Sequence, residues 1–141
     1  MRTLVCFSLL LLAGCSSLQT SHGRSGSISG KIAYPSETTP DMRICAVPAG
    51  GSLHACVQAK AGDTVYRIDH LAPADYLVVA QLHEGDMRVG GHMYQVQCIR
   101  APCPAHLQAV TVAPGASVAD IDINEFYAAM NDFPVLPADE K

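Results

Sequence analysis

The chain has 141 residues, 49% of them hydrophobic, with nine Lys/Arg against thirteen Asp/Glu and a formal charge of −4. That length and apolar content support one domain with a real core and not two. No basic run occurs anywhere, and the acidic balance excludes the electrostatic footprint of a nucleic-acid binder.

The chain opens with Met1-Arg2-Thr3 and continues in an apolar run from Leu4 to Ala13. A positive start followed by about ten apolar residues is too short to span a bilayer and reads as a cleaved export signal. The run ends in Leu12-Ala13-Gly14-Cys15, which resembles the lipobox of bacterial lipoproteins. The resemblance implies cleavage between Gly14 and Cys15, residues 1–14 as signal peptide, and acylation of the Cys15 thiol. Multiple acyl chains hold far more firmly than the single chain whose membrane binding is marginal, each buried methylene contributing ~0.8 kcal/mol. By the same resemblance the residue after the cysteine directs sorting. Here it is Ser16 and not aspartate, which places the protein on the outer membrane, facing the periplasm. Residues 15–27, lipidated cysteine and then SSLQTSHGRSGS, read as a flexible tether because they carry almost no apolar content. Loss of Arg2 with the signal leaves eight basic against thirteen acidic residues.

Beyond the tether, short alternating runs bounded by Pro and Gly predict an all-β fold of about seven to eight strands over residues 28–131. Ile28, Gly30, Ile32 and Tyr34 share one face of a first strand, which ends at Pro35, and Ser36-Glu37-Thr38-Thr39-Pro40 is a turn. Met42, Ile44 and Ala46 form one face of a second strand stopping at Pro48-Ala49-Gly50-Gly51-Ser52, and Leu53, Ala55, Val57 and Ala59 return as its hairpin partner. Tyr66 and Ile68 alternate with Arg67 and Asp69, Leu71 closes their face, and Pro73 makes residues 71–75 a tight connection. Residues 76–82 are apolar on both faces, as expected of a central strand. Residues 83–91 read as a polar loop, 93–98 as a strand, 98–104 as an interruption caused by Pro102 and Pro104, and 107–112 and 118–123 as the last strands. Residues 125–130 read as a helical turn and 132–141 as an irregular tail.

Two stretches, GSISGKIAYP and VYRIDHLAPADYLVVA, resemble the carboxypeptidase regulatory-like domains, a transthyretin-like (prealbumin-like) β-sandwich family. Ile28, Gly30, Tyr66, Ile68, Leu71, Pro73, Tyr76, Val78 and Ala80 occupy the matching positions, and Ala74 stands where the family pattern has glycine. The resemblance covers residues 26–82. It implies a single sandwich acting as a non-catalytic accessory, that is, a binding or structural module.

Besides Cys6 in the signal and Cys15, the cysteines are Cys45, Cys56, Cys98 and Cys103. An even number in an exported chain implies disulfides, and four permit three connectivities. If Ile44 and Val57 point inwards, Cys45 and Cys56 sit together on the other face, so Cys45–Cys56 with Cys98–Cys103 is the expected pairing. A four-thiolate zinc site lacks the paired C-x-x-C spacing. Arg100 at the tip of a closed Cys98–Cys103 loop offers an alternative function, inhibition of a trypsin-like protease through a preorganised loop. His83, Met87, His92, Met93 and His106 offer another, periplasmic copper binding through thioether and imidazole ligands, although no pair has strict ligand spacing. Asp120, Asp122, Asn124 and Glu125 read as the wet face of a strand and not as a calcium loop, which needs a glycine at its sixth position and a distal glutamate. No G-x-S-x-G occurs, and no histidine lies in a recognisable catalytic context. The reading is therefore a non-enzymatic lipoprotein without metal or cofactor, held to the membrane by its N-terminal lipid and serving a protein partner in the cell envelope.

Overall fold

Alternation of apolar and polar side chains builds the strands of this chain, and the places where alternation fails decide how they are arranged. The computed structural model describes residues 23–50, 54–82, 89–94, 106–126, 133, 134 and 136. Among these there is no helix, and eight strands form two sheets. The strands are β1 (Gly26–Lys31), β2 (Met42–Pro48), β3 (Ala55–Ala59), β4 (Val65–Leu71), β5 (Ala74–Leu82), β6 (Val89–Gly91), β7 (Ala109–Val112) and β8 (Ser117–Val118). One sheet has the order β4-β1-β8, and the other runs β3-β2-β5-β6 with β7 also on β5. Strand β5 is central, as its two apolar faces predict. Strand β2 pairs with one edge along its length, while β7 and β6 share the other end to end, opposite residues 74–77 and 79–81.

The all-β expectation is met, and the two sheets enclose one core. Ile28 of β1, Met42, Ile44 and Ala46 of β2, Tyr66 and Ile68 of β4, Tyr76, Val78 and Ala80 of β5, and Val110 and Val112 of β7 fill it, with Ile123 and Phe126 beside them. Burying each large aliphatic side chain here contributes on the order of 1.5–3 kcal/mol. Tyr34 closes one side with an edge-to-face contact on Phe126, ring centroids 5.0 Å apart.

The passage from β4 to β5 joins the two sheets and is not a hairpin within one of them. Pro73 withholds an amide and turns the chain, and the Tyr76 hydroxyl donates to the Ala72 carbonyl at 2.8 Å, a tyrosine corner that ties the start of β5 to the turn it has just left.

Two irregularities flank β1. On the β4 side, Gly26 faces Leu71 whereas Ile28 faces Ile68, so β4 carries one residue more than β1 over this stretch. The bulge centres on His70, at φ 61°. Strict alternation would send Leu71 to solvent, three residues after Ile68. The extra residue turns it back into the core, where it is 2% exposed. On the other side β8 is parallel to β1 only at Ser117 and Val118. Asp120 then takes φ 60°, and pairing resumes with the Ile121 and Ile123 amides donating to the Ser29 and Lys31 carbonyls. The single strand expected over 118–123 is thus split, because Val118 and Ile121 are an odd number of residues apart and both belong inside. The Ile121 carbonyl is pushed against β1, where a Cβ on Gly30 would collide with it, and the Tyr66 hydroxyl donates to the same oxygen. This close approach is the physical reason for glycine at the fifth position of GSISG.

Other boundaries also differ from the sequence reading. Residues 26 and 27, taken as tether, lie in β1, and Arg24 is already docked through its carbonyl, which accepts from the Gly115 amide at 2.7 Å. The polar loop expected through residue 91 gives up Val89–Gly91 to β6, whose backbone completes the upper edge of β5. Met93 and Leu107 meet in an isolated bridge and do not extend into strands, and Glu125 bridges to Gly91 where a helical turn was expected. Residues 95–105 and 127–132 lie outside the described set.

A left-handed conformation costs a non-glycine residue about 1–2 kcal/mol. His70→Gly is therefore expected to raise the stability measured by urea unfolding by roughly 0.5–1 kcal/mol, the gain reduced by glycine's entropy. His70→Val, whose branched Cβ tolerates positive φ least, is expected to lower it. Equal stabilities in the two variants would count against a bulge at this position.

Candidate functional site

The outer faces of the two sheets differ in kind. On the large sheet Cys45 and Val79 are fully buried, although they point away from the main core, and with Val89, Met93 and Phe133 they form a second apolar cluster. Val47, Cys56, Leu107 and Leu136 pack around it. Cys45 and Cys56 stand directly opposite one another on β2 and β3 and are joined as a disulfide, the pairing expected from the hairpin register. The tail expected at 132–141 is irregular at its described positions, yet Phe133 and Leu136 dock on this face. Strand β5 is apolar on both sides for this reason: one face meets the small sheet and the other is covered by later parts of its own chain.

On the small sheet the outer face is polar. The Arg67 guanidinium donates to the Ser27 hydroxyl at 2.9 Å and to the Asp69 carboxylate at 2.8 Å, and the Ser27 hydroxyl meets that of Ser117 at 3.2 Å. The row crosses all three strands. Arg67 and Asp69 are each about half exposed (53% and 49%), so their ion pair contributes at most about 1 kcal/mol and ties down side chains more than it stabilises.

Of the residues considered as metal ligands, His92, Met93 and His106 are described. Buried His92 places Nδ1 2.8 Å from the Asp122 carbonyl oxygen. A carbonyl can only accept, so Nδ1 carries the proton. Met93 points into the second apolar cluster, and its backbone is clamped by Asn124, whose side-chain oxygen accepts from the Met93 amide at 3.0 Å while its NH2 donates to the Met93 carbonyl at 3.1 Å. Adjacent in sequence, His92 and Met93 are thus committed to different partners. His106 is exposed, and His83 and Met87 lie outside the described residues. Among the described residues no three His, Cys, Asp or Glu converge as a metal site. Gly14, Cys15, Cys98, Arg100 and Cys103 also lie outside the described set. Asp122, read as the wet face of a strand, accepts the Lys31 amide at 2.8 Å.

The sequence reading missed the roles of Tyr76, Asn124 and Phe133. The signal for Tyr76 was present, since a tyrosine just after a proline turn at a strand start is placed to reach back. Asn124 and Phe133 carry no such local sign, because their partners are distant in the chain.

Compared with known proteins, the chain matches no protein-family model, no curated protein and no solved structure.

Burial pushes the phenols of Tyr66 and Tyr76 above their ordinary value, with the Asp122 carboxylate adding to the effect at Tyr66. Above pH ~10 the unfolded chain therefore ionises first. The stability these phenols contribute is complete below that pH and declines above it, by up to ~1.4 kcal/mol per pH unit at the deeply buried Tyr66. Alkaline unfolding curves for Tyr66→Phe and Tyr76→Phe should each be flatter above pH ~10 than the wild-type curve. Replacing both Cys45 and Cys56 by alanine is expected to cost about 3 kcal/mol in thermal or urea unfolding, from the lost cross-link and the thinned apolar cluster.

Proposed function

We propose that this chain is a lipoprotein of the outer membrane, anchored through Cys15, whose sandwich is of the transthyretin-like type and faces the periplasm as a non-catalytic binding or structural module. The observation that carries the reading is Leu12-Ala13-Gly14-Cys15 at the end of a positively started apolar run, followed by Ser16. A disulfide between Cys45 and Cys56 fits an oxidising compartment. The glycine pair of GSISG and the corner held by Tyr76 support the transthyretin-like assignment, since both answer physical needs at the positions carrying the sequence resemblance.

A binding or structural role is favoured by how the described polar groups are used. His92 and Asn124 hold backbone, Tyr66 ties the Ile121 carbonyl, Tyr76 closes the β4–β5 corner, and Ser27 is shared between Arg67 and Ser117. Each is engaged in holding the fold. The partner in this reading is another protein of the cell envelope.

Growth on radiolabelled fatty acid should label the wild type and not Cys15→Ala. Equal incorporation would refute the anchor. Co-sedimentation of the labelled protein with inner rather than outer membranes would refute the sorting assignment alone.

A further inference from the structure

An antiparallel ladder turns the backbone groups of successive residues towards opposite neighbours, so the hydrogen bonds of β1 fix which way those of β4 point. The Ile32 amide donates to the Thr64 carbonyl at 2.9 Å, and the register carries the same kind of pairing to Gly30 with Tyr66 and Ile28 with Ile68. Ser29 and Lys31 accordingly face the other way, where their carbonyls accept the Ile121 and Ile123 amides. On β4 the alternate residues are Val65, Arg67 and Asp69, the last standing just before the bulge at His70. Their N–H and C=O groups point away from β1, and among the described residues nothing pairs with them. With seven residues, β4 is also the longest edge strand of the described fold. The other edges are shorter and in part occupied: on β3 His54 and Gln58 already have partners, and Glu125 bridges to Gly91 of β6.

We propose that β4 pairs antiparallel with β4 of a second copy of this chain, about a two-fold axis at Ile68, joining two three-stranded sheets into one of six strands. The side chains select both the partner and the register. Val65, Arg67 and Asp69 are exposed, while Tyr66 and Ile68 point into the core. With Ile68 opposite Ile68, Arg67 faces Asp69 of the second copy, and Asp69 faces Arg67 of the second copy. Each of these residue pairs exchanges two backbone hydrogen bonds, and an ion pair lies over each. Sliding the strands by two residues sets Arg67 opposite Arg67 in one sense and Asp69 opposite Asp69 in the other, and like charges directly opposite are unfavourable. Opposite charges two residues apart, which within one copy bond only across the strand's own surface and to Ser27, are thus self-complementary in one antiparallel register. Edges kept from pairing carry proline or inward-pointing charge. Residues 65–69 carry neither, and the bulge at His70 falls past the paired stretch. The pairing uses the folded domain and does not depend on the lipid anchor.

Sedimentation equilibrium of the purified protein in density-matched detergent should show the mass rising to twice that of one chain between ~10 μM and ~1 mM, the range of a small, weak interface. Arg67→Asp and Asp69→Arg each set like charges opposite one another at both pairs, and each should weaken the dimer by about tenfold or more. An equimolar mixture of the two variants restores opposite charges at both pairs and should dimerise as the wild type does. A wild type that is monomeric at ~1 mM, variants that dimerise unchanged, or a mixture that stays monomeric overturns the proposal. A second measurement needs no substitution. The Arg67 and Asp69 amides should exchange with deuterium about tenfold more slowly at ~1 mM than at ~10 μM, and equal rates at the two concentrations overturn the pairing as well.

Discussion

Every strand here depends on delivering its apolar side chains to an interior shared by two sheets, and side chains along a strand alternate strictly. The chain must therefore be able to change parity. It does so at His70 and at Asp120, one on each side of β1, and in both cases an apolar residue three positions after another is turned back to the core. Without the first bulge Leu71 would face water just where the chain turns towards the second sheet. The corner that follows, closed by Pro73 and the Tyr76 hydroxyl, starts β5 with Tyr76, Val78 and Ala80 already facing inwards. The strain of two left-handed residues is offset by the burial of Leu71, Ile121 and Ile123 that it makes possible.

Strand β5 links that main core to the second apolar cluster. Its inner residues meet the small sheet, and Val79 on its outer face sits with Cys45 beneath Phe133 and Met93. The disulfide lies within this cluster and not at the rim, so cross-linking and packing act on the same face. Covering the outer face of the large sheet with later segments of the chain removes an apolar surface that would otherwise invite association. The small sheet needs no cover, because Ser27, Arg67, Asp69 and Ser117 hydrate it and satisfy one another.

These features bear on function through what they leave available. Among the described residues, the side chains of His92, Asn124, Tyr66, Tyr76, Ser27 and Ser117 are bonded to backbone or to other side chains. The N-terminal segment joins the sandwich beside Pro73 and Gly115.

Local pattern determined a good deal: the all-β class, the β2–β3 hairpin, the central position of β5 and the opposition of Cys45 to Cys56 can all be read from period-two alternation and turn residues, because these are short-range consequences of strand geometry. The export and lipid-attachment proposal rests on a local motif as well, residues 12–15. Tertiary structure alone decided that β4 and β5 belong to different sheets, that Gly26 and Ser27 belong to the fold, that Asp120 breaks the last strand, and that Asn124, Phe133 and Leu136 are packing partners for residues some 30 to 90 positions away. Alternation specifies which side of a strand is apolar, but not which sheet that side will meet. Where two apolar positions are separated by an odd number, only the shape of the finished core determines which residue takes the strained conformation that brings both inside.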